Sequence, residues 1–375
     1  MKLPLEDIRI LDLTHVWFGP YCTMMLAHLG AEVIKIEPPW GEMTRMFPPL
    51  VKGVSPYFAF INRCKLGVTL NLKHPKGVEL FKRLVKLSDV VVENFRPGTM
   101  ERLGIGWETL RELNPRIILA SISGFGQTGP WRDRRSFDLI AQASSGYMWL
   151  VGDSVDPEGP PHLAPEAIAD TIPGLSLLIG ILAALLYRER TGRGQWIDVA
   201  QMDSMIAVSQ SFSFWHLART TMDKAVRSWG IYDAFKARDG YVAIAVQTGR
   251  MEDAMRELMG VEEVTYEAVA KWVSERTVEE VVEALVEIGV PVAPVNDLDA
   301  VMRNEQARAR EMFVKVVHPQ LGETMMPGLH IKMSETPGDI SKPAPLLGQH
   351  NREVYGGLLG LSDEELEELK REGVI

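Results

Sequence analysis

Residues 8–37 read IRILDLTHVWFGPYCTMMLAHLGAEVIKIE, and this stretch decides the fold class. Its first six residues are mostly apolar and predict a short strand, and 32–37 predict a second one. Between them, residues 21–29 predict a helix with Pro20 at its first position and Gly30 as its stop. A strand, a helix and a strand in this order favour a right-handed parallel crossover. The stretch therefore indicates an α/β fold.

The same alternation continues through the first half of the chain and predicts a doubly wound sheet with ligand loops at the carboxyl ends of its strands. The apolar run 172–187 is too short for the ~20 residues of a membrane-spanning helix, and we interpret it as fully buried. The predicted strands are 68–72, 89–93, 117–122 and 196–200, and the predicted helices are 74–88, 99–113 and 173–190.

The chain of 375 residues exceeds the size at which single domains usually divide, so two domains are expected. A strand at 240–246 and an amphipathic helix at 277–288 predict a smaller α+β domain. The predicted division is a large domain over 1–205, a linker over 206–227, a small domain over 228–318, and a linker with a return to the large domain over 319–375.

Composition narrows the possible functions. The net charge of −10 disfavours a protein that grips nucleic acid through its overall field. Cys22 and Cys64 form neither a disulfide framework nor a zinc pattern. The N-terminal residues resemble no signal peptide, which predicts a cytoplasmic protein without a membrane span. The phosphate-binding P-loop, the nicotinamide glycine fingerprint and the HExxH metal motif are all missing from the sequence.

Cations and aromatic side chains follow the ends of the predicted strands. They include His15, Trp17 and Phe18 after the first strand, Lys73 after the third, and the segment 94–98, NFRPG, after the fourth. Such residues suit a ligand with both phosphates and a purine ring. Taken singly they have plainer interpretations, since Lys73 fits a solvated cap and His15 fits a turn.

Asp170 lies in the segment 168–174, IADTIPG, against the most apolar helix of the chain. By itself this position suggests a helix N-cap, because aspartate is favoured there and Pro173 fits a first turn.

Long ordered segments resemble the class III CoA-transferase family, also called CaiB/BaiF, over essentially the whole chain. The matching segments are LDLTHVWFGPYCTMMLAHLGAEVIKIEPPWGE (11–42), LNLKHPKG (70–77), VVENFRPGTMERLGI (91–105), NPRIILASISGFGQTGP (114–130), FDLIAQASSGYM (137–148), IADTIPG (168–174), ILAALLYRERTGRGQWIDVAQMDSM (181–205) and PAPLLGQHNREV (343–354).

This resemblance implies a Rossmann-like large domain built from both chain ends, a smaller α+β domain, and an interlocked homodimer. It implies that CoA is exchanged between an acyl-CoA and a carboxylic acid, with Asp170 as covalent nucleophile, no metal and no permanently bound cofactor. The family's CoA contacts fall on His15, Trp17, Phe18, Leu70, Lys73, Asn94, Phe95, Arg96, Arg102 and Arg135. Pro38 stands where some members have an arginine.

Gln247, Thr248 and Gly249 of the small domain are candidate donors to a reaction oxyanion and candidate substrate contacts. The acceptor acid stays open, and oxalate is not favoured because no glycine-rich loop is found near 240–250.

The sequence disfavours three alternative functions. An acyl-CoA racemase of the same superfamily needs a histidine where this chain has Phe137, between Ser136 and Asp138. A non-catalytic CoA-binding protein has no need of Asp170 in its motif. A nicotinamide oxidoreductase is disfavoured by the missing glycine fingerprint.

Overall fold

The computed structural model describes residues 3–375, and its largest sheet has six parallel strands. The strands are β1 (Arg9–Asp12), β2 (Glu32–Glu37), β3 (Leu66–Thr69), β4 (Val90–Glu93), β5 (Ile118–Ser123) and β6 (Trp196–Ala200). Their order is β3-β2-β1-β4-β5-β6, and every neighbouring pair is parallel. The predicted parallel α/β sheet is confirmed. The strand order reverses between β1 and β4, which is where such sheets bind ligands.

Helices cover both faces of this sheet. The helices of this part of the chain are α1 (Phe18–His28), α2 (Pro56–Ile61), α3 (Pro75–Val85), α4 (Thr99–Arg102), α5 (Trp107–Leu113), α6 (Asp138–Ser144), α7 (Tyr147–Val155), α8 (Ile168–Thr191) and α9 (Gln201–Val208), with a 3₁₀ turn at Met43–Met46. Consecutive strand residues point to opposite faces. Leu11 accordingly packs with α3 and α5, whereas Ile10 packs with α1 and α8.

The C-terminal segment packs against β3. The His350 N–H donates to the Gly67 carbonyl at 2.9 Å, and the Tyr355 hydroxyl donates to the Thr69 carbonyl at 2.8 Å. A π-helix at Arg352–Leu358 and helix α17 (Asp363–Arg371) add buried side chains to the core on that face.

By internal packing the chain divides into two units. The first comprises the residues up to Gly152, Pro160–Val208 and Glu311–Ile375, and the second comprises Asp153–Gly159 and Ser209–Arg310. The domain bounds that we predicted from the sequence remain a prediction, separate from this division by packing. The remaining elements are α10 (Ser211–Ala218), α11 (Met222–Arg227), β7 (Ile231–Lys236), β8 (Tyr241–Val246), α12 (Gly249–Met259), α13 (Tyr266–Ser274), α14 (Val278–Glu287), β9 (Val292–Pro294), α15 (Leu298–Arg303), α16 (Glu305–Ala309), β10 (Phe313–His318) and β11 (Gly322–Pro327).

The structure differs from the sequence prediction at the start of one helix and in the middle of another. Helix α1 begins at Phe18, so Pro20 is its third residue and not its first. The predicted helix 99–113 is two helices, because Gly104 adopts a left-handed φ of 71° between α4 and α5. Glycine takes this conformation without the steric cost that a side chain imposes.

Helix α8 begins five residues before the predicted start and is buried on one side only. Leu177 and Ile181 are fully buried, whereas Ile179 and Leu186 are 67% and 55% exposed. The prediction of a fully buried helix was wrong. Within residues 3–375 it is the one helix whose length and hydropathy would fit a membrane, and half of that apolar window is buried inside the protein. Core helices of globular proteins commonly meet the same criterion.

Candidate active site

Asp170 is the third residue of α8, not the residue before it. The helix is preceded by Ala167, which has a left-handed φ of 46° and no capping side chain. The N-cap interpretation of Asp170 was therefore wrong. The side chain is almost completely buried at the positive end of a 24-residue helix, where the helix dipole favours a carboxylate.

One side chain donates a hydrogen bond to the Asp170 carboxylate. Gln201 Nε2 donates to Asp170 Oδ1, and Gln201 is itself fully buried. Gln201 is the first residue after β6, so the sheet positions the amide that contacts α8. Gln201 was not singled out from the sequence, although its place directly after a predicted strand was a usable signal.

A second carboxylate lies close to the first. Asp138 Oδ1 accepts from the Ala169 N–H at 2.7 Å, and Asp138 Oδ2 accepts from Gln142 Nε2 at 2.7 Å. The bond from Ala169 joins α6 to the first turn of α8, and the bond from Gln142 lies within α6. Asp138 therefore places negative charge beside Asp170 while its own oxygens are already engaged.

The surroundings of Asp170 determine its protonation. Burial, followed by the negative charge of Asp138, raises the pKa of Asp170 to about 7, and the Gln201 hydrogen bond opposes this rise. A poorly solvated carboxylate that titrates near neutrality is a more reactive nucleophile than a fully hydrated one.

Aromatic side chains form a wall next to the first turn of α8. Trp17 Nε1 donates to Thr171 Oγ1 at 3.0 Å, one residue beyond Asp170. The Trp17 ring lies 5.1 Å from the Tyr57 ring and 5.7 Å from the Phe60 ring, between centroids. Burial, followed by the nearby Asp170 and other carboxylates, raises the pKa of the Tyr57 phenol. Tyr57 was missed by the sequence analysis because nothing local marks a tyrosine in a short helix.

The loops after β1 and β4 are joined at the switch point of the sheet. The His15 N–H donates to Asn94 Oδ1 at 2.9 Å, and Asn94 Nδ2 donates to the His15 carbonyl at 2.7 Å. The His15 ring also meets the Phe95 ring edge-on, at 6.2 Å between centroids. Three of the predicted CoA contacts thus lie together in one place.

The predicted cationic contacts all have exposed side chains. Arg102 has one nitrogen engaged, with Nη2 donating to Thr99 Oγ1 at 2.7 Å. The exposed cations are Lys73, Arg96, Arg102 and Arg135. Leu70 differs, because its side chain belongs to the core and leaves mainly backbone atoms for a ligand.

The candidate residues Gln247, Thr248 and Gly249 belong to the second unit. Gln247 and Thr248 connect β8 to α12, which begins at Gly249, and the Thr248 hydroxyl caps that helix by accepting from the Met251 N–H at 3.4 Å. The three residues line a cavity of about 450 Å³ together with Arg227, Trp229 and other residues.

No metal centre accompanies these groups in the described part of the chain. Residues 3–375 contain no cluster of three His, Cys, Asp or Glu side chains arranged to hold a metal ion.

Comparisons with known proteins agree on one family. A family model described as CoA-transferase family III matches residues 5–351. The chain is 37% identical to the succinyl-CoA–L-malate CoA-transferase beta subunit of Chloroflexus aurantiacus, covering all of this chain and 98% of that protein. It is 36% identical to the formyl-CoA:oxalate CoA-transferase of Streptomyces avermitilis, covering all of both chains. A CaiB/BaiF family crystal structure from Brucella suis superposes with a TM-score of 0.83 at 30% identity, covering 96% of this chain and all of that one.

Proposed function

Because the chain belongs to CoA-transferase family III and is a CoA-transferase, we propose that it transfers CoA through covalent intermediates on Asp170. The donor is an acyl-CoA and the acceptor is a free carboxylic acid. The observation that carries the proposal is a buried carboxylate with its pKa raised to about 7 by burial, next to the loops that hold the expected CoA contacts.

The proposed steps conserve atoms and electrons. The Asp170 carboxylate attacks the thioester carbonyl, the C–S bond breaks, and an acyl–aspartyl anhydride and CoA thiolate form. The thiolate attacks the aspartyl carbonyl, which releases the donor acid and leaves an aspartyl–CoA thioester. The acceptor carboxylate attacks that thioester, and the thiolate then attacks the acceptor's carbonyl in the new anhydride. The new acyl-CoA leaves and the Asp170 carboxylate is restored.

Water has to be excluded from these intermediates, since hydrolysis of either would turn the enzyme into a thioesterase. The buried position of Asp170 and the rings of Trp17, Tyr57 and Phe60 support such exclusion on one side of the carboxylate. We propose Gln247, Thr248 and Gly249 as the oxyanion donors and substrate contacts, by analogy with glycine-containing loops that present backbone N–H groups.

Binding of CoA is proposed to use exposed cations for phosphates and aromatic faces for the adenine. Arg96, Arg102 and Arg135 supply guanidinium groups that match phosphate geometry. CoA is a substrate here, with no permanently bound cofactor, and the reaction is proposed to take place in the cytoplasm.

A short dicarboxylic acid is the proposed acceptor class. The two relatives are named as transferases for malate and for oxalate, which are both dicarboxylates. A panel that compares ¹³C-labelled succinate with butyrate, with unlabelled succinyl-CoA as donor, tests this by mass spectrometry, because the labelled product then differs in mass from the donor. Equal rates with both acids would contradict the dicarboxylate proposal.

Trapping tests the covalent step directly. Incubation with acyl-CoA and hydroxylamine should yield a hydroxamate on the peptide that carries Asp170, and Asp170→Asn should yield none. Asp198→Asn is the matched control, because Asp198 is another carboxylate of the same unit whose pKa is raised by burial. A non-catalytic CoA-binding protein would give no hydroxamate in any variant, and labelling elsewhere would refute Asp170 as the nucleophile.

Racemisation is a weaker proposal for this site. A two-base proton transfer needs a second base beside Asp170. Phe137 has no titratable group, and both oxygens of Asp138 are engaged in bonds to Ala169 and Gln142.

A homodimer is proposed on the exposed face of α8. Ile179, Leu186 and Tyr187 are large side chains that are 45–67% exposed on one helix, which is typical of a surface covered by another chain. A second copy of this chain, interlocked as the family resemblance implies, is the proposed occupant. Sedimentation velocity of Leu186→Glu should show monomer or aggregate, whereas an active wild-type monomer would refute the dimer.

A further inference from the structure

Val16 occupies an unusual backbone conformation between two residues of the candidate site. Its φ is 71°, and it is the one β-branched residue with a positive φ among the non-glycine residues within 3–375. Branching at Cβ makes this region especially unfavourable, so surrounding contacts have to hold the residue there. Such strain commonly accumulates where a chain must present a side chain to a ligand.

Hydrogen bonds hold the two peptide groups that precede the Val16 side chain. Asn94 accepts from the His15 N–H and donates to the His15 carbonyl. The next N–H, that of Val16, donates to Glu42 Oε2 at 3.2 Å. The carboxylate of Glu42 is therefore the group that engages the strained residue itself.

Glu42 is held in turn by several donors. Its side chain is fully buried, and Oε1 accepts from the Thr44 hydroxyl at 2.8 Å. Lys35 Nζ lies 3.4 Å from the same oxygen and also donates to the carbonyl of Thr14, immediately before the turn. The lysine and the glutamate thus join β2 and the following loop to the end of β1.

The turn determines where the next side chain lies. Trp17 follows Val16 directly, and its indole N–H reaches Thr171 Oγ1 beside Asp170. An extended Val16 would send the chain in another direction and move this indole away from the first turn of α8. Val16 therefore links the buried Lys35–Glu42 pair to the aromatic wall that contains Trp17.

We infer that Glu42 is a positioning residue, whose carboxylate stabilises the left-handed Val16 and thereby places His15 and Trp17 for CoA binding and for chemistry at Asp170. This inference rests on the proposed function for its catalytic consequence. The effect of Glu42 on the conformation of the loop that contains His15, Val16 and Trp17 can be tested without turnover.

A double-mutant cycle separates positioning from stability. In Glu42→Gln, one oxygen is replaced by an NH₂ group, so either the Val16 N–H or the Lys35–Thr44 side loses its acceptor. Misplacement of a site by about 1 Å can cost about 100-fold in rate, so we expect kcat/KM for the acyl-CoA to fall about 10- to 100-fold. Val16→Gly removes the cost of the positive φ, so in that background the same change should cost less than about threefold.

Glu37→Gln is the matched control. Glu37 is a buried glutamate of the same region whose carboxylate bonds Arg45 and the Glu42 N–H, whereas the Val16 N–H bonds Glu42. A glutamine oxygen can keep the two bonds made by Glu37 Oε2. This variant should lower the thermal midpoint without the rate loss of Glu42→Gln, and its effect should be the same with and without Val16→Gly.

CoA binding provides an independent measurement. The Kd for CoA by titration calorimetry should rise in Glu42→Gln and recover in the double variant, whether or not Asp170 is the nucleophile. If Glu42→Gln does not fold, Thr44→Val removes one hydrogen bond from the carboxylate and should give a smaller loss with the same dependence on Val16→Gly. An equal loss in the Val16 and Val16→Gly backgrounds, in rate and in Kd, would overturn the inference.

Discussion

Replacement of Asp170 by asparagine should stabilise the folded protein increasingly as the pH rises. Burial raises the pKa of this carboxyl from 3.8 to about 7. Between these values the folded state keeps a proton that the unfolded state has lost, so the free energy of unfolding falls with rising pH in that window. The penalty is complete above about pH 7, and Asp170→Asn does not carry it.

The magnitude follows from the pKa values. One pKa unit corresponds to about 1.4 kcal/mol, so the full penalty is about 4 kcal/mol. Of this, about 2–3 kcal/mol develops between pH 5 and pH 8.5. Asparagine can still accept the hydrogen bond from Gln201 through Oδ1, so little else is lost.

Urea denaturation of the wild type and of Asp170→Asn at several pH values measures this difference. Glu93→Gln is the control, because burial likewise raises the pKa of Glu93 to about 7. It should show a similar pH-dependent gain and still be labelled at Asp170 by hydroxylamine trapping. A stability difference for Asp170→Asn that is constant from pH 5 to pH 8.5 would refute the reasoning.

Three further outcomes are expected. Gln201→Leu removes a hydrogen bond that lowers the pKa of Asp170. The rise of kcat/KM with pH should therefore move to higher pH, and a pH profile equal to that of the wild type would contradict this. Gly174→Ala should lower the free energy of unfolding by about 1–3 kcal/mol, because the added Cβ would lie 2.7 Å from the Phe18 carbonyl oxygen. An unchanged free energy in chemical denaturation would exclude that clash. Arg102→Ala should weaken CoA binding by about 1–3 kcal/mol and reduce its salt dependence in calorimetry, and an unchanged Kd would indicate a solvated side chain.

Most of the central sheet could be predicted from the sequence. The strand predicted at 32–37 has those bounds in the structure, and 196–200 does as well. Strands covered by helices on both faces appear as short, mostly apolar runs, and this is a local signal. Pattern alone could not reveal the break at Gly104, because residues 99–113 keep a helical spacing across it.

The burial of helices is less accessible to sequence reasoning. The run in α8 is apolar on every side, which fits a core helix and equally fits a helix with one face on an interface. Only its packing against α1 and the sheet shows which side chains, such as Leu177, are covered within this chain and which, such as Ile179, are not.

The sequence by itself determined the family, the parallel α/β sheet and the choice of Asp170, because these depend on residue types in an ordered pattern. Tertiary structure decided what Asp170 is chemically. Its position inside the first turn of α8, its bond from Gln201 and its neighbour Asp138 come from elements that are far apart in the chain. A pKa is determined by solvation and by nearby charges in space, and a linear sequence specifies neither until the chain is folded.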